Sequence, residues 1–123
     1  MDLKAHTERL FELMDEMKIQ GLQLQLITNL FKEADKYFAE GEECYNEHII
    51  AGEFNNDMEE AKKQLFLYEC CKNRGYRLRD EAIKLKAEWS AHWELVDKET
   101  DELMKELQEQ VNKEKENGVQ ENE

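Results

Sequence analysis

The sequence predicts an all-α protein: long amphipathic helices in an antiparallel helical hairpin or bundle with coiled-coil-like seams. Three observations predict it. The 123 residues contain no proline and only five glycines, so few positions interrupt a helix or force a turn. Leu, Glu, Lys, Gln and Ala, the strong helix formers, dominate the composition. Apolar residues recur at alternating steps of three and four over long stretches, and no useful run alternates as a strand would.

The first element is read over residues 3–51. Leu3, His6, Leu10, Leu13, Met17, Gln20, Leu24, Ile27, Phe31, Ala34, Phe38, Gly41, Tyr45 and His48 step by three and four without interruption. Eleven of these fourteen are apolar when Gly41 is counted as a small residue. Gly21 is the only punctuation, so the segment is either one long helix or two helices kinked near Gly21. A lone glycine costs about 1 kcal/mol in a helix and does not by itself end one.

Residues 52–57 (GEFNND) form the clearest break. Gly52 suits a left-handed cap, Asn55 or Asn56 suits the cap of the following helix, and Asp57, Glu59 and Glu60 suit its positive end. Met58, Ala61, Leu65 and Tyr68 then share one face, and Gly75 marks a second expected break or kink. From Tyr76 onward Leu78, Ala82, Leu85, Trp89, Trp93, Val96, Thr100, Leu103 and Leu107 form a stripe. The apolar pattern fades in the last residues. A single helical domain is therefore expected over 1–116, with a frayed acidic tail over 117–123. Two long elements joined by one short loop favour a hairpin, with the middle segment folding over it as a third or fourth helix. Such a pair leaves apolar stripe exposed, for which a homodimer is the natural remedy.

Charged residues make up 38% of the chain, against roughly 25% in an ordinary domain; long thin helices expose that much surface. The net charge of −13 argues against anionic membranes and against direct nucleic-acid binding. The charge is uneven. Residues 87–123 carry twelve acids and four bases, whereas residues 72–86 carry six bases and two acids. No stretch reaches the ~18–20 apolar residues of a membrane span, and the charged N-terminus lacks the apolar core of a signal peptide. Cys44, Cys70 and Cys71 are odd in number and two are adjacent, which suits a reducing, cytoplasmic setting better than a disulfide scaffold.

Several constellations have spacings that chemistry could use. Cys44 with His48, and Glu88 with His92, have the four-residue spacing that puts two metal ligands on one helical face. The competing reading makes His48 and Cys44 interior residues and Glu88 solvated, and no metal or cofactor is expected. Glu40 with Glu43 and Glu94 with Asp97 resemble the paired acidic motifs, Glu-x-x-Glu and Glu-x-x-Asp, by which all-α nucleotide pyrophosphohydrolases hold Mg²⁺. Their separation along the chain is much larger than in that family. There is no phosphate loop and no nucleophile elbow, and the one serine, Ser90, lies inside a helix. Catalytic residues are therefore not expected. Cys70 and Cys71 are read as buried structural thiols.

Partner-binding candidates fall into three groups. Trp89 and Trp93, one turn apart, suit either the helix interface or a binding hot spot, and Phe54 at the loop tip suits an anchor. The basic band contributes Arg74, Arg77 and Arg79, with Lys72, Lys84, Lys86 and Tyr76 beside them. The band is expected to pair with the acidic stretch 39–47, within the chain or across a dimer, rather than with nucleic acid. The last helix contributes a carboxylate array of Glu94, Asp97, Asp101, Glu102, Glu106 and Glu109.

Two further resemblances follow from these residues. Phe54, Glu60-Ala61-Lys62 and Ile83-Lys84-Leu85 within Glu53–Lys86 resemble the C-terminal helical hairpin of iron–sulfur J-type co-chaperones. The His-Pro-Asp signature of that family is missing, so none of its activity carries over. The acidic last helix makes the chain similar to small helical proteins of phages and mobile elements, several of which present carboxylates where phosphates would sit. The expected function is a non-enzymatic protein-binding helical module: an adaptor, regulatory subunit or inhibitor. The alternatives are an acidic nucleic-acid mimic that inhibits a host nucleic-acid enzyme, and a Mg²⁺-dependent nucleotide pyrophosphohydrolase.

Overall fold

The computed structural model describes residues 2–121. Helix α1 spans Leu3–Ile49 and helix α2 spans Met58–Glu121, joined by a π-helical turn over Ile50–Phe54. There is no strand among the described residues, and the two long helices pack against each other.

Local chemistry accounts for each boundary. Asp2 starts α1: its Oδ1 accepts from the main-chain N–H groups of Lys4 at 3.1 Å and Ala5 at 3.3 Å, satisfying two donors that a helix start leaves free. The helix then continues through Gly21, whose surroundings are open. Its end widens into the π-turn, where the Asn55 N–H donates to the Ile50 carbonyl at 3.0 Å and the Asp57 N–H to the Ala51 carbonyl at 2.7 Å.

Two sequence expectations about this turn are corrected. The left-handed position is taken by Asn56, with φ 52°, and not by Gly52; asparagine tolerates that region because its short amide bonds locally. Gly52 instead faces Ala61, where an added Cβ would lie 3.6 Å from the alanine Cβ. Asp57, rather than Asn55 or Asn56, caps α2, its Oδ1 accepting from the Glu60 N–H at 3.1 Å.

Among the described residues the expected break at Gly75 and the third or fourth helix are absent, because α2 runs uninterrupted through Gly75. Gly75 is a contact glycine. A Cβ there would lie 2.8 Å from Cε1 of Phe38 on α1, so the missing side chain makes room for the ring. Of the expected tail, residues 117–121 belong to α2, and 122–123 lie outside the described residues.

The chain forms two compact units, Met1–Gln23 with Glu88–Glu123 (unit 1) and Leu24–Ala87 (unit 2). In unit 1 Leu13 and Val96 are buried together with the polar Gln20. In unit 2 the buried positions are Ile27, Ala34, Gly41, Ala51, Ala61, Gly75 and Ala82. Alanine and glycine at the contact let helix backbones come close, which substitutes short-range packing for bulky side chains. In each unit residues of rising number on α1 meet residues of falling number on α2. His6 meets Glu106 and Gln20 meets Trp89 in unit 1; Phe38 meets Tyr76 and His48 meets Ala61 in unit 2.

Candidate interaction surfaces

In unit 1 the two tryptophans belong to the helix contact. Their rings stack at 5.7 Å and 7°, both are half-buried, and the Trp89 indole Nε1–H donates to the Gln20 carbonyl at 2.8 Å. Nearby, Arg9 holds Glu99 with two parallel bonds of 2.8 Å, from Nε and Nη2, and reaches Glu12 through Nη1 at 2.9 Å. These hydrogen bonds, that to Glu99 first, raise the Arg9 pKa, and Arg9 in turn lowers that of Glu99. His6 lies between two acceptors, the Asp2 carbonyl at 2.9 Å and Glu106 Oε2 at 2.6 Å. Both bonds favour the imidazolium and raise its pKa, the Asp2 carbonyl most. The carboxylate that bridges His6, Glu106, lies 100 residues away, where no local spacing points to it.

Glu106 is thus engaged within the chain. Glu94, Asp97, Asp101, Glu102 and Glu109 are exposed and form no ion pair among the described residues. Unit 1 as a whole carries seventeen acids and seven bases, a net of −10 out of −13.

In unit 2 the basic band is not neutralised. The expected pairing with residues 39–47 within the chain is corrected: no ion pair within 4.0 Å among the described residues involves Lys72, Arg74, Arg77, Arg79, Lys84 or Lys86. Arg74 lies over the Tyr37 ring at 5.0 Å and Lys72 over the Tyr68 ring at 5.8 Å, where the ring face attracts a cation without cancelling its charge. Lys72 and Arg79 line an open cleft with Phe38, Gly41, Glu42, Tyr68 and Tyr76. Its floor is aromatic, with Phe38 edge-on to Tyr76 at 5.1 Å. Arg77 is exposed beside Arg74 in a shallow depression that also includes Cys70.

The thiols divide. Cys70 is exposed, correcting the expectation that it is buried. Cys71 packs against Gly41 and neighbours Cys44, and burial first, then Cys44, pushes its thiol pKa up. His48 uses Nδ1 to donate to the Ala61 carbonyl at 2.7 Å, so that nitrogen is engaged in helix packing. Glu40 and Glu43 lie in unit 2, Glu94 and Asp97 in unit 1. Among the described residues no group of three or more His, Cys, Asp or Glu side chains converges as a metal site would require. Among the described residues no helix is long and apolar enough to cross a membrane. Phe54, at the end of the π-turn, is 77% exposed, more than any other large apolar side chain described.

Sequence reading missed a second apolar face on α1. Phe11, Met14, Ile19 and Leu22 in unit 1 are each more than half exposed; at 100° per residue Phe11 and Leu22 lie opposite Leu13 and Gln20, with Met14 and Ile19 on the two flanks. The signal was present as apolar residues one or two places off the three-four stripe. It was masked because the stripe already accounted for a helix with one buried side. No protein-family model, no curated protein and no solved structure matches this sequence.

Proposed function

We propose that the chain is a non-enzymatic, protein-binding helical module, acting in the cytoplasm as an adaptor, regulatory subunit or inhibitor. In this reading α1 and α2 form an antiparallel hairpin with coiled-coil-like packing, and the binding energy comes from a helical partner laid on the outer face of α1. The observation that carries it is the double use of α1. Leu13 and Gln20 are buried against α2, while Phe11 and Leu22 on the far side and Met14 and Ile19 on the flanks are open to solvent. Four large apolar side chains exposed within twelve residues of one helix favour an interaction site, whereas single ones are ordinary.

The test is a tagged pull-down from a lysate of the native organism or its host, with wild type beside Phe11→Asp/Leu22→Asp, each repeated with competing DNA. The expected result is a stoichiometric partner retained by wild type, indifferent to DNA and lost by the double variant. Both substituted side chains are exposed, so helical content should be unchanged. A partner retained by the variant would remove the outer face from the reading.

The acid density of unit 1 supports a second reading, a nucleic-acid mimic directed at a basic cleft in a nucleic-acid enzyme. It predicts that DNA and high salt release the partner, because released counterions and screened charges govern such contacts. Recovery of no partner would return attention to Mg²⁺-dependent nucleotide hydrolysis, assayed with Glu43→Gln and Asp97→Asn.

A further inference from the structure

The unpaired cations of unit 2 and the unpaired acids of unit 1 share one period. Lys72, Arg79 and Lys86 follow one another at seven-residue steps on α2, as do Glu102, Glu109 and Glu116. Seven residues fall ~20° short of two full helical turns, so each trio stays on one edge of the helix with charges about 10 Å apart. Glu102, Glu109, Glu116, Arg79 and Lys86 are exposed and Lys72 is half-buried. None of the six forms an ion pair among the described residues. Glu42 shares the cleft wall with Lys72 and Arg79 but makes no ion pair with either.

We propose that these two rows are the halves of a contact between copies of this chain: the cationic row in unit 2 of one copy receives the acidic row in unit 1 of another. Charge complementarity selects the occupant. Unit 1 holds net −10, and two such surfaces repel each other. The 72–86 band holds net +4, and its own acidic neighbours leave its side chains unpaired. Equal spacing lets three pairs form in one register, in the way that flanking charges at seven-residue repeats set partner and alignment between packed helices. A one-turn slip breaks at least one pair, so the rows fix alignment as well as attraction. The aromatic floor of Phe38, Tyr68 and Tyr76 lies beside Lys72 and Arg79, so a docked partner would cover apolar surface at that end of the row as well. The contact stands independently of the outer face of α1.

The test is sedimentation velocity on the full chain with two triple reversals: Lys72→Glu/Arg79→Glu/Lys86→Glu and Glu102→Lys/Glu109→Lys/Glu116→Lys. Wild type should self-associate at low salt, and its Kd should weaken about tenfold or more in high salt, as expected for exposed pairs. Each reversed chain alone carries two rows of like sign and should stay monomeric. An equimolar mixture of the two should associate again, because each row then meets its opposite. Circular dichroism confirms that the variants are helical; if either is not, the neutral pair Lys86→Gln and Glu102→Gln replaces it, each expected to weaken association severalfold. A wild type that is monomeric at low salt overturns the proposal, as does association indifferent to salt and to both reversals. Association abolished by Phe11→Asp/Leu22→Asp but not by the charge reversals overturns it in favour of the outer face of α1. A basic row that binds duplex DNA while the chain stays monomeric assigns the row to nucleic acid and overturns it too.

Discussion

The indole N–H of Trp89 donates to the main-chain carbonyl of Gln20 at 2.8 Å, tying the two halves of unit 1 by a bond that no change of the Gln20 side chain removes. The acceptor is a helical carbonyl that already serves its own helix, so the indole uses its second lone pair. Trp89→Phe keeps an aromatic against Trp93 and deletes the donor. The variant should lose about 1 kcal/mol, the usual worth of one such bond, with a further decrement from the smaller ring. Chemical denaturation of wild type and variant checks it, with an unchanged m-value expected.

Gln20 itself behaves oppositely. Its side chain is 2% exposed, and neither its amide nitrogen nor its amide oxygen has a hydrogen-bond partner among the described residues. Burying such a group without a partner costs about 1–3 kcal/mol. Gln20→Leu, close in volume and without polar atoms, should raise stability by about 1–2 kcal/mol. A buried polar residue at such a position is known elsewhere to hold alignment at the expense of stability. A fall in stability would show that the amide is satisfied in solution.

Two glycines give a matched pair of opposite sign. Both sit inside helices, where Gly→Ala gains about 1 kcal/mol from backbone entropy alone. At Gly21 a Cβ meets nothing within 4 Å, so Gly21→Ala should gain nearly that amount. At Gly75 the Cβ would lie 2.8–3.0 Å from three atoms of the Phe38 ring, and overpacking costs about 1–3 kcal/mol. Gly75→Ala should therefore be destabilising by roughly 1 kcal/mol net. Gly75→Ala combined with Phe38→Leu should show coupling, because the smaller side chain yields the space.

The His6 bridge makes the stability of unit 1 depend on pH. Its pKa is raised above the ordinary 6.5, by the Asp2 carbonyl first and Glu106 second. A group whose folded pKa is raised contributes fully below the unfolded pKa, and the contribution disappears as pH rises through the folded value. Wild type should therefore exceed His6→Gln in melting temperature below pH 6.5. The difference should close as the pH passes above the raised value. Imidazole proton shifts followed by NMR across the same range would locate that value, and a midpoint at or below 6.5 would remove the bridge as its cause.

Much of the helical pattern was legible in the sequence because it repeats. Of the fourteen stepped positions on α1, only Leu3 and Tyr45 are exposed, and the break at 52–57 announced itself through Gly52, Asn55 and Asn56. The interior of α2 was harder. Gly75 looks the same in sequence whether it ends a helix or admits a ring, and only the position of Phe38, thirty-seven residues earlier, decides between them. The same holds for His6 and Glu106, Arg9 and Glu99, or Trp89 and Gln20, whose meeting depends on the alignment of two helices and not on any local spacing. The candidate surfaces were legible in part. The acids and the basic band could be read directly, but their lack of intrachain partners could not. The outer face of α1 was hidden because a helix already explained by one apolar side invites no search for another.

The short π-turn has a kinetic consequence. His48 and Ala61, on either side of it, are only 13 residues apart, whereas Gln20 and Trp89 are separated by 69, Arg9 and Glu99 by 90, and His6 and Glu106 by 100. Closing a loop grows dearer with its length, by about 0.6 kcal/mol for each doubling, but each contact made near the turn shortens the loop left for the next. Folding should therefore begin at Ile50–Phe54 and run outward like a zip. Hydrogen exchange in the native state should be faster around His6 and Glu106 than beside the turn. A protein assembled in this order gains the His6–Glu106 pairing last and loses it first, so a pull on the segments that flank this pair opens unit 1 one helical turn at a time.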